Sequence, residues 1–285
     1  MHPYVFIAAQ YLTPQALLSR LIGALARCPW GFIKNPFIEK FIARYQVDMS
    51  QALEENPRAY PHFNAFFTRA LKPGARPLCA GTAEIACPAD GAISQLGAIQ
   101  NGRIFQAKGQ DFSLVELLGG QEDLAAAYQD GLFATVYLSP KDYHRVHMPL
   151  DGQLQRMVHI PGDLFSVNAV TAEHVPRLFA RNERVVCHFV TPTGPMAVVL
   201  VGAMIVASIE TPWAGLVAPT RKQVRTSHYG LAPSVQLAKG DEMGRFLLGS
   251  TAIVLLPKGR ARWREDLVAG SNVMMGEAMG VLIQE

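Results

Sequence analysis

Charge is scarce in this chain. Asp, Glu, Lys and Arg make up 17% of its 285 residues, against roughly 25% in a typical globular domain. The net charge is +3, so the dense Lys/Arg footprint of a nucleic-acid binder is missing and no nucleic-acid partner is expected. Cysteine is scarce too. Cys28, Cys79, Cys87 and Cys187 show neither CxxC spacing nor the Cys/His pattern of a zinc site, which excludes a disulfide scaffold and fits a reducing compartment. The opening "MHPYVFIAAQYLTPQ" has no basic n-region and no A-x-A site, so no signal peptide is expected. Long apolar runs are also absent. The longest, "MAVVLVGAMIVA" at 196–207, falls short of the about 20 residues that a bilayer-spanning helix needs. Its Val/Ile content favours a buried strand, and no transmembrane helix is expected.

What is there divides in two. Residues 1–71 read as helical. "TPQALLSRLIGALAR" begins with Thr13 as N-cap and Pro14 at the first helical position, with Leu17, Leu18, Leu21, Ile22 and Leu25 at helical spacing on one face. "NPFIEKFIARY" repeats this grammar, with Asn35 as cap, Pro36, and then Phe37, Ile38, Phe41, Ile42 and Tyr45 on one face. Trp30 and Phe32 lie in the joint, and "FNAFFTRAL" makes a third helical segment at 63–71. Such apolar faces usually cover a protein's own core. Two short aromatic-rich helices with basic residues opposite also match an anchor lying in a membrane interface. Leu17, Leu21, Trp30, Phe37 and Phe41 are the candidate membrane contacts.

Residues 72–285 change to short apolar runs broken by Gly, Pro and Asp, the pattern of a β-rich domain. "SLVELLGGQEDLAAAY" at 113–128 is the main helical exception. The expected fold class is α+β, a β-rich catalytic core of barrel or sandwich type behind N-terminal amphipathic helices.

Three features could carry chemistry. In "CPADGAIS", Asp90 precedes a Gly at a turn, and such a dipeptide is ordinarily no more than a turn. In "PKDYHRVHMP", His144 and His147 form an HxxH pair without further ligands at defined spacing, so no metal is expected. In "FLLGSTAIVLLP", a Gly-Ser-Thr triplet interrupts an apolar run. It reads as a turn, as a nucleophile, or as a place where the backbone itself reacts. A nucleophile elbow of the G-x-S-x-G kind is absent, but Asp, His and Ser together can activate a weak hydroxyl. If they meet, the Ser250 hydroxyl can attack the Gly249 carbonyl and turn the amide into an ester. Elimination then cuts the chain and leaves a dehydroalanine that hydrolyses to a pyruvoyl group. Glycine suits the attacked position because it has no side chain to obstruct it. A pyruvoyl ketone can form a Schiff base with an amine and act as an electron sink in place of pyridoxal phosphate.

These segments together are similar to a known family. "KGDEMGRFLLGSTAIVL", "DYHRVHMP", "PADGAIS", "FNAFFTRALKPGARP" and "PGDLFSVNAVTAEHVPRLFARNERVVC" resemble, in order and from about residue 60 to 280, the proteobacterial membrane-associated phosphatidylserine decarboxylases. The resemblance implies self-cleavage between Gly249 and Ser250, with Ser250 becoming the pyruvoyl group and no metal or pyridoxal phosphate required. It implies that His147 is the base of self-cleavage, Asp90 its orienting partner, and His144 the proton donor after decarboxylation. It also implies a β chain of residues 1–249 and an α chain of 250–285, held as a heterodimer that dimerises further. Phosphatidylserine would be the substrate and phosphatidylethanolamine and CO2 the products, at an anionic membrane surface on the cytoplasmic face of the bacterial inner membrane. Two rivals stand beside this reading. One is a Ser-His-Asp lipid or ester hydrolase that uses Ser250 conventionally, and the other is a non-catalytic membrane-docking protein.

Overall fold

The computed structural model describes residues 3–13, 15–203, 208–219, 223–247 and 250–283. Pro14 and Gly249 lie outside them, as do residues 204–207 of the long apolar run. Among the described residues, nine strands form one antiparallel sheet at the centre. In spatial order its main path is Arg225–His228, Gly152–Ile160, Arg184–Thr191, Gly194–Gly202, Ser250–Leu256, Leu132–Leu138, Gly91–Ala98 and Asn272–Val273, with Gln236–Leu237 beside Gly152–Ile160. A four-stranded sheet (Gly215–Ala218, Ile209–Thr211, Glu242–Phe246, Arg145–His147) and a three-stranded sheet (Glu84–Ala86, Ala278–Leu282, Ala261–Trp263) accompany it. The result is the expected α+β architecture with a sandwich-like core, and among the described residues no barrel closes.

Each face of the large sheet has its own core. Val136, Leu138, Val198, Ala252 and Val254 pack with Val146, Ile209 and Phe246 of the four-stranded sheet. Phe133, Val199, Ile253 and Leu255 pack on the other side with Leu117, Leu178 and Phe179 of the short helices. Side chains alternate along a strand, so the run of Ser250–Leu256, buried throughout, serves both cores. This is why it reads as continuously apolar.

The N-terminal helices depart from the expected boundaries. They are α1 (Pro3–Leu12), α2 (Gln15–Ala26), α3 (Gly31–Tyr45) and the single-turn α4 (Phe63–Phe67). Thr13 does not cap the second helix. Its hydroxyl donates back to the Ala9 carbonyl at 2.7 Å, completing α1. The third helix starts a turn before Pro36, so Asn35 lies inside it, its side chain accepting from the buried Lys34 ammonium at 2.7 Å. Lys34 also bonds the Arg58 carbonyl at 2.8 Å. Pro36 thus sits inside the helix, where a proline cannot donate to the preceding turn. The helix expected across 113–128 is two short ones, α5 (Leu114–Leu117) and α6 (Glu122–Ala126). Gly119 and Gly120 divide them with φ near +76° and +81°, a left-handed conformation that suits glycine.

Helix α2 buries its small residues, Ser19, Gly23 and Ala26, and leaves Leu21 and Leu25 exposed. Trp30 (61%) and Phe32 (78%) are exposed and stacked on each other. Phe37 and Phe41, expected at the membrane, turn toward the protein instead. Both are half-buried, with ring centroids 4.3 and 5.0 Å from that of Phe63. Aromatic stacking around the fully buried Phe63, Phe66 and Phe67 outweighs exposure there. The side chain of Leu17 lies outside the described residues.

Candidate active site

Ser250 opens the central strand, opposite Leu138 on one side and Gly202 on the other. Alternation turns it, like Ala252 and Val254, into the core between the sheets. The residue is fully buried, and among the described residues its hydroxyl has no hydrogen-bond partner. Such an unpaired buried group costs about 1–3 kcal/mol. The incoming chain is held on two sides: Phe246 N–H donates to the His144 carbonyl at 3.0 Å, and Leu247 N–H to the Ser208 carbonyl at 3.0 Å.

His144 therefore lies against the segment that leads into Ser250. Its ring is wholly buried, 4.0 Å from the Phe67 ring. Nδ1 is 2.8 Å from the Asp142 carbonyl oxygen. A carbonyl only accepts, so Nδ1 carries the proton and Nε2 is a bare acceptor. That Nε2 is buried with no partner among the described residues. Burial, and then the charge of nearby Arg69, push the pKa down to about 3 against the support of the Asp142 carbonyl. The ring is neutral at ordinary pH.

His147 is placed differently. Val146 enters the inter-sheet core, so its strand neighbours Arg145 and His147 turn to the opposite face. His147 Nδ1 donates to the Gly240 carbonyl at 2.7 Å, and Nε2 meets the Tyr143 hydroxyl at 3.1 Å. With Nδ1 donating, Tyr143 must donate to Nε2. Burial lowers the pKa of His147 as well and raises that of Tyr143 to about 12.

Asp90 is buried and paired with Arg76, whose Nε donates to Oδ1 at 2.8 Å while Nη2 donates to Oδ2 at 2.5 Å. Met275 N–H adds a bond to Oδ1 at 2.9 Å. Among the described residues no hydrogen bond joins Asp90 to His147, or either of them to Ser250. The two are neighbours through the backbone, because His147 N–H donates to the Pro88 carbonyl at 2.8 Å. The structure thus gathers all three motifs around the end of one strand. It leaves Ser250 and His144 with idle polar atoms and gives Asp90 and His147 other partners.

A cavity of about 500 Å³ opens on the Asp90 side, lined by Arg76, Asp90, Tyr137, Lys141, Asp142 and Asn272 among others. Among the described residues no group of three or more His, Cys, Asp or Glu could hold a metal ion. Arg76, Tyr143, Phe67 and Arg69 were not singled out from the sequence. Arg69 and Arg76 stand within the quoted segment "FNAFFTRALKPGARP", but nothing in its spacing marks one arginine over another.

Comparison with known proteins gives matches along most of the chain. The family model described as phosphatidylserine decarboxylase matches residues 63–281, and one described as PSD matches residues 5–46. The chain is 61% identical over 282 residues to a phosphatidylserine decarboxylase proenzyme of Ectopseudomonas mendocina, covering 98% of this chain and 99% of the relative. It is 62% identical over 286 residues to one of Pseudomonas entomophila, covering all of both chains. It is 61% identical to one of Pseudomonas fluorescens over 281 residues, 98% of each.

Proposed function

Because the chain belongs to the phosphatidylserine decarboxylase family, we propose that it is a proenzyme that cuts itself at Gly249–Ser250 and then decarboxylates phosphatidylserine to phosphatidylethanolamine. The observation that carries this reading is the buried, unpartnered Ser250 hydroxyl at the first residue of the central strand. A serine in that place gains nothing structurally. Ser250 fits as the precursor of a pyruvoyl group, since its side chain is shielded from water and its backbone begins a strand held on both sides. When present, that group supplies a carbonyl sink for the electrons left by the departing carboxylate.

The chain's own residues do the rest. His147 takes the Ser250 proton during cleavage once its Nε2 is released from Tyr143 and its ring, which faces away from the inter-sheet core, swings toward Ser250. Asp90, held by Arg76, fixes the turn whose Pro88 carbonyl receives the His147 N–H. His144 handles the proton of the second reaction through Nε2, while its Nδ1 bond to Asp142 fixes the ring orientation. The 250–285 fragment supplies the central strand and two strands of the three-stranded sheet. The two chains would therefore stay together without a covalent link. The exposed Leu21, Leu25, Trp30 and Phe32 would lie in the headgroup layer, at the cytoplasmic face of the inner membrane.

Intact-mass measurement of purified protein tests the central step. We expect two chains, with the small one lacking a free N-terminal amine, and a single uncut, inactive species for Ser250→Ala. A full-length wild-type chain with full activity would instead refute the pyruvoyl reading. For the membrane contact, Leu21→Asp with Trp30→Asp should release the cleaved protein from anionic liposomes. Unchanged co-sedimentation would refute that part.

A further inference from the structure

Arg69 takes no part in the steps above, yet its placement is unfavourable. The side chain is only 4% exposed. Nη2 donates to the Lys141 carbonyl at 3.1 Å, and the guanidinium lies 5.7 Å from the centre of the Phe66 ring. Among the described residues, Nε and Nη1 are buried with no acceptor. Asp90 and Asp142 come near enough for their charge to be felt, but both are committed elsewhere. Asp90 holds the Arg76 fork, and Asp142 accepts from the Ser139 amide and hydroxyl at 2.7 Å each. Desolvation accordingly pushes the guanidinium pKa down, although an arginine remains charged. Buried charges are normally paired and fully hydrogen-bonded. This one is a cation with donors to spare.

Its surroundings say what it waits for. The Lys141 carbonyl that it grips belongs to the loop ending at His144, and the ring of Phe67, two residues before Arg69, lies tilted against the His144 ring with centroids 4.0 Å apart. The idle donors thus stand beside the group assigned to the proton of decarboxylation. A serine phospholipid carries two anionic groups, the carboxylate that departs and the phosphodiester that stays. Only a methylene and an ester oxygen separate the phosphodiester from the reacting carbon, so a cation beside His144 is within reach of both. A guanidinium on the carboxylate would stabilise the ground state whose charge must be lost, and would raise the barrier. On the phosphodiester it binds substrate and transition state alike.

We infer that Arg69 is the substrate-recognising cation of this site, its free Nε and Nη1 donors receiving the phosphodiester oxygens of the lipid headgroup. The inference rests on the decarboxylase reading. Arg69→Gln and Arg69→Lys test it. Both should cleave at Ser250 like the wild type, which also shows that they fold. With short-chain phosphatidylserine in detergent micelles, Arg69→Gln should raise KM roughly tenfold or more with kcat within about threefold. Arg69→Lys, which keeps the charge but not the fork, should fall between. Calorimetric titration separates the two anionic groups. Glycerophosphoglycerol, a phosphodiester without carboxylate or amine, should lose roughly tenfold in affinity for Arg69→Gln, and N-acetylserine should lose none. Unchanged KM, a fall in kcat alone, loss of N-acetylserine binding instead, or failure of both variants to cleave would each overturn the assignment. If the decarboxylase reading itself fails, wild-type protein leaves phosphatidylserine unchanged, and the glycerophosphoglycerol titration still reads Arg69.

Discussion

The two histidines of "YHRVHMP" are separated by only two residues, yet they occupy opposite environments. His147 is tied at both ring nitrogens, to the Gly240 carbonyl and the Tyr143 hydroxyl. His144 is tied at one, to the Asp142 carbonyl, and its other nitrogen is buried and idle. Val146 between them is anchored in the inter-sheet core, and the pleat sends Arg145 and His147 to the opposite face. One short segment can therefore present two histidines of the same intrinsic chemistry to two different tasks. It also means that the uncut chain is not set for immediate cleavage by His147. The Tyr143–His147 bond must give way first, whereas His144, its Nε2 bare, already lies against the segment that leads into Ser250.

The sharpest way to break this comparison is to remove each ring separately. His144→Ala should still cleave, and its decarboxylation rate should fall about 10²–10⁴-fold, the usual worth of a positioned acid or base. His147→Ala should remain mostly uncut, its self-cleavage slowed by a similar factor. Denaturing gels followed over hours read the first reaction, and release of CO2 from carboxyl-labelled phosphatidylserine reads the second. If His144→Ala stays uncut while His147→Ala cleaves normally, the roles are reversed, and the idle Nε2 of His144 is the base that Ser250 uses.

Much of this molecule was legible before its structure. Short apolar runs broken by Gly, Pro and Asp predict a β-rich body, and the structure has one. The Gly-Ser-Thr interruption marks the first residue of its central strand. The N-terminal helices were legible as helices but not at their edges. Thr13 and Asn35 carry the residue types of caps, but each found a nearer partner, the Ala9 carbonyl and the Lys34 ammonium respectively. The division of faces was illegible in α3, because Phe37 and Phe41 look the same whether they meet lipid or Phe63. Only the packing of α4 decides between them. Nor could spacing reveal that Asp90 belongs to Arg76, 14 residues earlier, or that Arg69 is buried beside His144. Ion pairs between loops leave no period in a sequence.

A smaller effect sharpens the same contrast, and it appears in stability rather than rate. The His144 pKa is about 3 in the folded chain, against 6.5 for an ordinary histidine. Between those values the unfolded chain binds a proton at this residue and the native chain does not. Stability is then full above pH 6.5 and falls by about 1.4 kcal/mol per pH unit as pH drops toward 3. The measurement belongs in the Ser250→Ala background, where no cleavage intervenes, with His144→Gln added in a second protein. His147 and His188, also depressed by burial, titrate in both proteins and cancel in the difference. Urea midpoints at pH 7, 6 and 5 should show the stability of the protein that keeps His144 falling, relative to the one carrying His144→Gln, as pH falls. A difference that stays constant would mean that the His144 ring takes up a proton in the native state as readily as in water, and its burial against Phe67 would not then keep it neutral.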